Sequence, residues 1–264
     1  IDRIDEGINA ALKKVADFIH VPEGIVYLYN TDTRTLKNSH GYHNESGNIK
    51  KGEYIDITPE TLGYYWKTLQ RLESIVISHP DDLPPAAHSE RKYIDHYGFR
   101  SLIFVPMINQ GHLYGTLGFY DGALNEREWS PELIMLIKFV ADIFVSALER
   151  KRTDVELIER EQRYRTLIEQ SPIAMQIHTP DGILVQVNKS WEKLWQAEPT
   201  DILPKFNVLK DVQIRNLGIL PFIEQAIRGD TVTLTDIEFD PVKSGIQGRS
   251  RLVNLRVYPI KAKD

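Results

Sequence analysis

From Pro131 to Glu169 the sequence holds no glycine, no second proline and no cluster of turn-forming residues. Apolar residues recur through that run at helical spacing, and Ser130-Pro131 supplies a cap and a first-turn proline at its start. The chain must therefore accommodate a rod roughly 60 Å long. Counting heptads from Ile134 puts Ile134, Ile137, Ala141, Phe144, Leu148, Lys151, Val155, Ile158, Gln162 and Arg165 on one seam. A neighbouring seam of Leu133, Leu136, Val140, Ile143 and Ala147 is apolar too. The charge-rich stretch from Arg150 to Arg165 has no obvious domain to bury it. The first seam is thus expected to meet its copy in a homodimer, and the second to pack on the N-terminal domain. Lys151, Gln162 and Arg165 weaken such a seam and leave alternative registers close in energy, which suits a switch.

The rod divides a chain of 264 residues into stretches of domain size, 1–130 before it and 170–264 after it. Hydrophobic residues at 42% and charged residues at 26% are ordinary values, so each stretch can build a core. A net charge of -5, with cations and anions interleaved, gives no field for a nucleic-acid backbone. No apolar run reaches the length of a membrane span, and the N-terminus is amphipathic and unlike a signal peptide. The expectation is a cytoplasmic segment of a larger protein that binds neither nucleic acid nor membrane.

In the first stretch a helix over Ile1 to Ile19 precedes strands at Gly24 to Asn30 and Leu36 to His43. A loop with two glycines follows, from Asn44 to Tyr54. Then come a helix from Pro59 to Leu72, a short strand at Ser74 to Ser78, and a helix from Ala86 to Tyr97 stopped by Gly98. Arg100 to Ile108 and His112 to Asp121 form the clearest hairpin of this half, turned at Asn109-Gln-Gly111. This order describes one antiparallel sheet flanked by helices, an α+β architecture. In the second stretch, strands Ala174 to Thr179 and Ile183 to Val187 flank Pro180-Asp-Gly182. Helices at Asn188 to Trp195 and Pro221 to Arg228 follow, then strands Thr231 to Phe239 and Arg249 to Tyr258. Residues Ile260 to Asp264 read as the entry to a further hairpin, with a closing strand beyond.

The run Phe99 to Asp121 (FRSLIFVPMINQGHLYGTLGFYD), followed by Trp129-Ser-Pro-Glu132 and the long helix, resembles the C-terminal half of a GAF domain, and the resemblance covers residues 1 to 150. Tyr164 to Met175 (YRTLIEQSPIAM), Thr179 to Asn188 (TPDGILVQVN), Trp191 and Trp195 resemble a PAS domain over 164 to 260. The two resemblances imply a pair of antiparallel-sheet sensor domains joined by a signalling helix. They also imply an output domain outside this segment, most often a histidine kinase and less often a nucleotide cyclase or a transcription-activating domain.

Chemistry narrows the reading. With no cysteine the chain cannot attach a bilin through a thioether or form a cysteinyl flavin adduct, so no cofactor is expected. The Asn-Lys, Phe and Asp-Glu pattern of cyclic-nucleotide-binding GAF relatives is not reproduced, although Asn109, Phe119 and Glu126 fall in that region. His40 and His43 sit three apart on a strand, His88 and His96 eight apart on a helix, and neither pair can share an ion. Scattered, solvated histidines are expected, and no haem ligand stands on the Pro221 to Arg228 helix. No catalytic motif is present, and Ser46, Ser244 and Asp81-Asp82 read as turn residues. What remains is a small-molecule pocket between sheet and helices. Its candidates are Tyr27, Tyr29, Trp66, Tyr93, Phe104 and Phe119 in the first domain. In the second they are Met175, Ile177, Val187, Trp195, Phe222 and Phe239. The alternative is a ligand-free scaffold in which those same side chains only pack and the chain only holds a dimer together.

Overall fold

The structure, a computed structural model, describes residues 2–44, 47–48, 54–122, 127–245 and 247–260. Ser46, Glu126 and residues 261–264, which carry a turn, a nucleotide-site candidate and a hairpin entry in the sequence reading, lie outside these. The chain forms two compact units, Ile1–Leu157 and Ile158–Asp264.

The first unit runs α1 (Asp2–Phe18), β1 (Glu23–Asn30), β2 (Thr35–His43), β3 (Gly47–Asn48), α2 (Gly63–Gln70), β4 (Ile75–Ile77), α3 (His88–Tyr97), β5 (Ser101–Asn109) and β6 (His112–Asp121). Helix α4 (Pro131–Gln170) begins in this unit and continues past its boundary. The strands make one antiparallel sheet in the order β3-β2-β1-β6-β5-β4. Local chemistry sets its turns: Gln110 and Gly111 both take positive φ, 49° and 80°, between the paired Asn109 and His112. Positive φ at both central residues gives a turn whose twist matches that of the strands. Gly98 ends α3 in the left-handed region at φ 70°.

Strand alternation gives the sheet two cores. On one face Ile8 and Leu12 of α1 and Ile137, Ala141, Phe144 and Leu148 of α4 meet Val26, Val105, Leu117 and Phe119. On the other, Tyr65 and Leu69 of α2 and Tyr93 and Ile94 of α3 meet Ile25, Tyr27, Phe104 and Tyr120.

This packing corrects the seam. Ile137, Phe144 and Leu148, together with Ala141, are buried against their own sheet and are not open to a second chain. Lys151, next on that seam, pairs with Asp5 of α1. Val155 is half-buried, and Ile158, Gln162 and Arg165 are exposed. The neighbouring seam is the more open one: Leu133 and Val140 only border the core, and Ile143 is exposed. Both seams are apolar over the first four turns, so periodicity alone cannot say which one the sheet takes.

The second unit contains β7 (Gln176–His178), β8 (Leu184–Val187), α5 (Lys189–Trp195), α6 (Pro199–Ile202), α7 (Val212–Asn216), α8 (Leu220–Ile227), β9 (Val232–Phe239) and β10 (Arg251–Val257). Gly182 closes the first hairpin at φ 89°. The strands pair as β7-β8 and β9-β10, two separate two-stranded sheets. The single sheet expected here is corrected accordingly: among the described residues no ladder joins the hairpins. The buried Asn188, at the head of α5, ties its surroundings together. Its Oδ1 accepts from the amides of Met175 (2.9 Å) and Trp191 (3.0 Å), and its Nδ2 donates to the carbonyls of Ile168 and Ile173, both at 2.9 Å.

Candidate ligand-binding site

Between the hairpins of the second unit lies an apolar cavity of about 70 Å³. Trp191 and Trp195 of α5, Ile214 of α7, Phe239 of β9, and Val253 and Leu255 of β10 form its walls, and Gln176 of β7 is the polar side chain at its edge. The side-chain Oε1 of Gln176 accepts from the Trp191 indole Nε1–H at 2.9 Å, which fixes the orientation of both. Trp195 and Phe239 meet edge to face, ring centres 5.3 Å apart. An apolar cavity of roughly 150 Å³ holds benzene, and sites for drug-sized ligands run to roughly 300–1,000 Å³. The pocket is half-open, so it has enclosed room for a small apolar fragment, and a larger ligand would extend from it toward solvent.

Two of the second-domain candidates, Trp195 and Phe239, line the cavity. Met175 and Ile177 do not: on β7 it is Gln176 that faces in, and a shift of one residue changes the face. Val187 is buried beside Leu184 and Trp191 in an adjoining cluster. Phe222 is corrected outright. It is 41% exposed, because α8 turns Ile223 and Ala226 inward. Of the walls missed by the sequence reading, Ile214 and Phe206 come from the segment after α5, whose short helices α6 and α7 leave no periodic signal.

In the first unit Tyr27, Tyr93 and Phe104 gather on one face of the sheet, with Tyr29 and Trp66 at its margin. Trp66 donates to the Arg34 carbonyl at 3.2 Å and lies under the Arg34 guanidinium. Phe119 lies on the opposite face and is not part of that group. Its neighbour Tyr120, not singled out in the sequence, fills the place, with its hydroxyl 3.2 Å from that of Tyr93. Phe104 fits here because Gly118 has no β-carbon; one built there would lie 2.4 Å from the Phe104 ring. Burial pushes the phenols of Tyr27, Tyr65, Tyr93 and Tyr120 above their ordinary range. Among the described residues these rings are buried and pack on one another.

Two histidines depart from the scattered, solvated set expected, whereas His20, His79, His88, His96 and His112 are exposed. His40 is 8% exposed, with its ring nitrogens 3.0 Å from Ser39 Oγ and 3.0 Å from Asp5 Oδ1. Burial lowers the pKa of His178, against the bond its ring makes to the Gly182 carbonyl. Among the described residues no group of three histidine, aspartate or glutamate side chains could hold a metal ion, and no helix is long and apolar enough to cross a membrane.

The profile of the GAF domain family matches residues 3–148, more than half of the chain and every strand of the six-stranded sheet. The chain belongs to the GAF domain family. No curated protein sequence matches it. Its GAF domain is similar to solved structures at low identity. A GAF domain of Synechocystis in its photoproduct state is 14% identical, covers 58% of this chain and 98% of that one, and gives a TM-score of 0.49. The GAF domain of an Acinetobacter phosphoenolpyruvate-protein phosphotransferase is 12% identical, with 58% and 86% covered and a TM-score of 0.45. A domain of a sensor histidine kinase protein of Sinorhizobium meliloti is 15% identical, with 59% and 98% covered and a TM-score of 0.43.

Proposed function

We propose that the chain is the sensory and dimerisation segment of a cytoplasmic bacterial signalling protein, with its GAF domain followed by a PAS-like domain. Helix α4 transmits between them, packed against its copy in a homodimer. One observation carries this reading: a second apolar heptad, opposite the face that the sheet occupies. Leu136, Phe139, Ile143, Leu157, Tyr164 and Leu167 fall at its core positions, and Phe139, Leu157 and Leu167 are 63%, 65% and 69% exposed. Knobs at heptad spacing call for a like helix as partner. From Arg152 to Leu167 only Val155 is less than exposed, and a solitary helix in water is marginal. Ser146, Arg150, Thr153 and Arg160 interrupt the core positions between the two apolar ends, so neighbouring registers lie close in energy.

The signal on this reading is a small apolar molecule in the cavity of the second unit, and the GAF domain serves the helix through its packing. The absence of cysteine in the sequence rules out a thioether-linked chromophore. An output domain beyond this segment, by resemblance a histidine kinase, would read the helix. Native mass spectrometry of the chain beside Phe139→Glu and Leu157→Glu tests the proposal. Dimeric wild type with monomeric variants supports it, and extra mass on the wild type would begin to identify the ligand. A monomeric wild type, or variants that stay dimeric, would overturn the seam. Dimers that remain bare after incubation with small apolar compounds would favour the scaffold.

A further inference from the structure

Asp5 of α1 divides its carboxylate between two elements. Oδ1 lies 3.0 Å from Nε2 of His40 on β2, and Oδ2 lies 2.5 Å from Nζ of Lys151 on α4. His40 is held from behind by Ser39 Oγ. The position of Lys151 is what gives the group meaning. Leu148 is the last buried residue of α4, and after Lys151 the helix is exposed, with Val155 the one exception up to Leu167. The cluster therefore stands where the helix leaves the sheet. At the far end of α1, Arg127 donates to the carbonyls of Ile19 and His20 and pairs with Asp121 at 3.2 Å, so α1 and the first half of α4 run antiparallel. Apolar packing between them is non-directional and tolerates a small slide or roll. A carboxylate bonded through both oxygens to two different elements does not, since charge-assisted bonds of this kind fix geometry as well as energy. Partial burial opposes the charge on Asp5, yet the bonds from Lys151 and His40 outweigh it and hold the carboxyl below its ordinary range.

We infer that the Asp5 carboxylate is a latch that fixes the rotation and axial position of α4 at its exit from the GAF domain, and that its release frees the helix beyond. The latch deepens the proposed role of α4 and rests on that role only for its use in signalling. Hydrogen exchange over residues 149–157 of the full chain tests it in wild type, Asp5→Asn, Lys151→Gln and the double variant. Each single variant is expected to raise exchange there about tenfold while the β5-β6 amides stay protected, and the double variant to go no further than the larger single. Unchanged exchange in Lys151→Gln, whose fold is not in question at a half-buried position, would overturn the latch, as would additive effects. A monomeric chain that shows the expected exchange would leave the latch standing and the dimer reading fallen.

Discussion

Gly115 of β6 lies so close to β1 that a β-carbon built on it would fall 2.2 Å from the carbonyl oxygen of Tyr27. The obstruction is backbone on a paired strand, so nothing local can swing aside. Gly115→Ala is expected to force the β1-β6 ladder apart and to destabilise the GAF domain by about 1–3 kcal/mol. Denaturant unfolding followed by tryptophan fluorescence measures this, and a change below about 0.5 kcal/mol would show that the sheet can spread there freely.

Asn188 uses every donor and acceptor of its side chain, two carbonyls taking its amide hydrogens and two amides reaching its oxygen. Asn188→Asp puts a carboxylate oxygen opposite two carbonyls in a fully buried place. A loss of about 3–5 kcal/mol is expected at neutral pH. Stability should recover as the pH falls and the new carboxyl gains a proton to donate. A loss that does not depend on pH would mean that shape, and not the donor, is what the site requires.

Tyr27, Tyr65, Tyr93 and Tyr120 have folded-state pKa values raised above the ordinary 10.0, first of all by burial. Tyr114, half-buried near Glu149, is pushed up to about 12. Below pH 10 both folded and unfolded states keep these protons, and stability is unaffected. Above it the unfolded chain releases protons that the folded one retains, so stability falls as pH rises. Tyrosinate absorbance should therefore climb in two stages, with the buried phenols appearing only as the circular dichroism of the fold is lost. A single early stage would mean that the aromatic core opens without unfolding.

Ile214 closes the cavity from α7 and is itself buried. Ile214→Ala is expected to enlarge that space and to cost the second unit about 2–4 kcal/mol. Added benzene should return part of the loss, read as a rise in Tm. A variant as stable as the parent would mean that the walls collapse to fill the gap.

The GAF domain was legible in the sequence because its elements are long enough for periodicity and are closed by turn residues. Gly98, the Gln110-Gly111 turn and Ser130-Pro131 fix three boundaries by themselves. Assignment of faces was not legible. Phe119 and Tyr120 are neighbours of similar bulk, and which one joins Tyr27 depends on pairing β6 with β1, a relation between residues about ninety apart in sequence. The seam failed for the same reason, since Phe144 and Ile143 are both apolar and only the sheet decides which is covered. In the second unit the cavity draws Ile214 from the short helix α7 and Phe206 from the irregular segment between α6 and α7, where no repeat distinguishes a wall from a loop. His40 looked solvated because its partner Asp5 stands on another element, and a lone histidine carries no mark of a distant carboxylate.

Consecutive residues of β6 serve opposite cores: Phe119 faces α1 and α4, and Tyr120 faces α2 and α3. The strand thus has no idle side on which to take up a displacement. A change of volume among the aromatic rings on one side of the sheet is therefore expected to be felt on the other, where Phe119 meets the residues of α1 and α4.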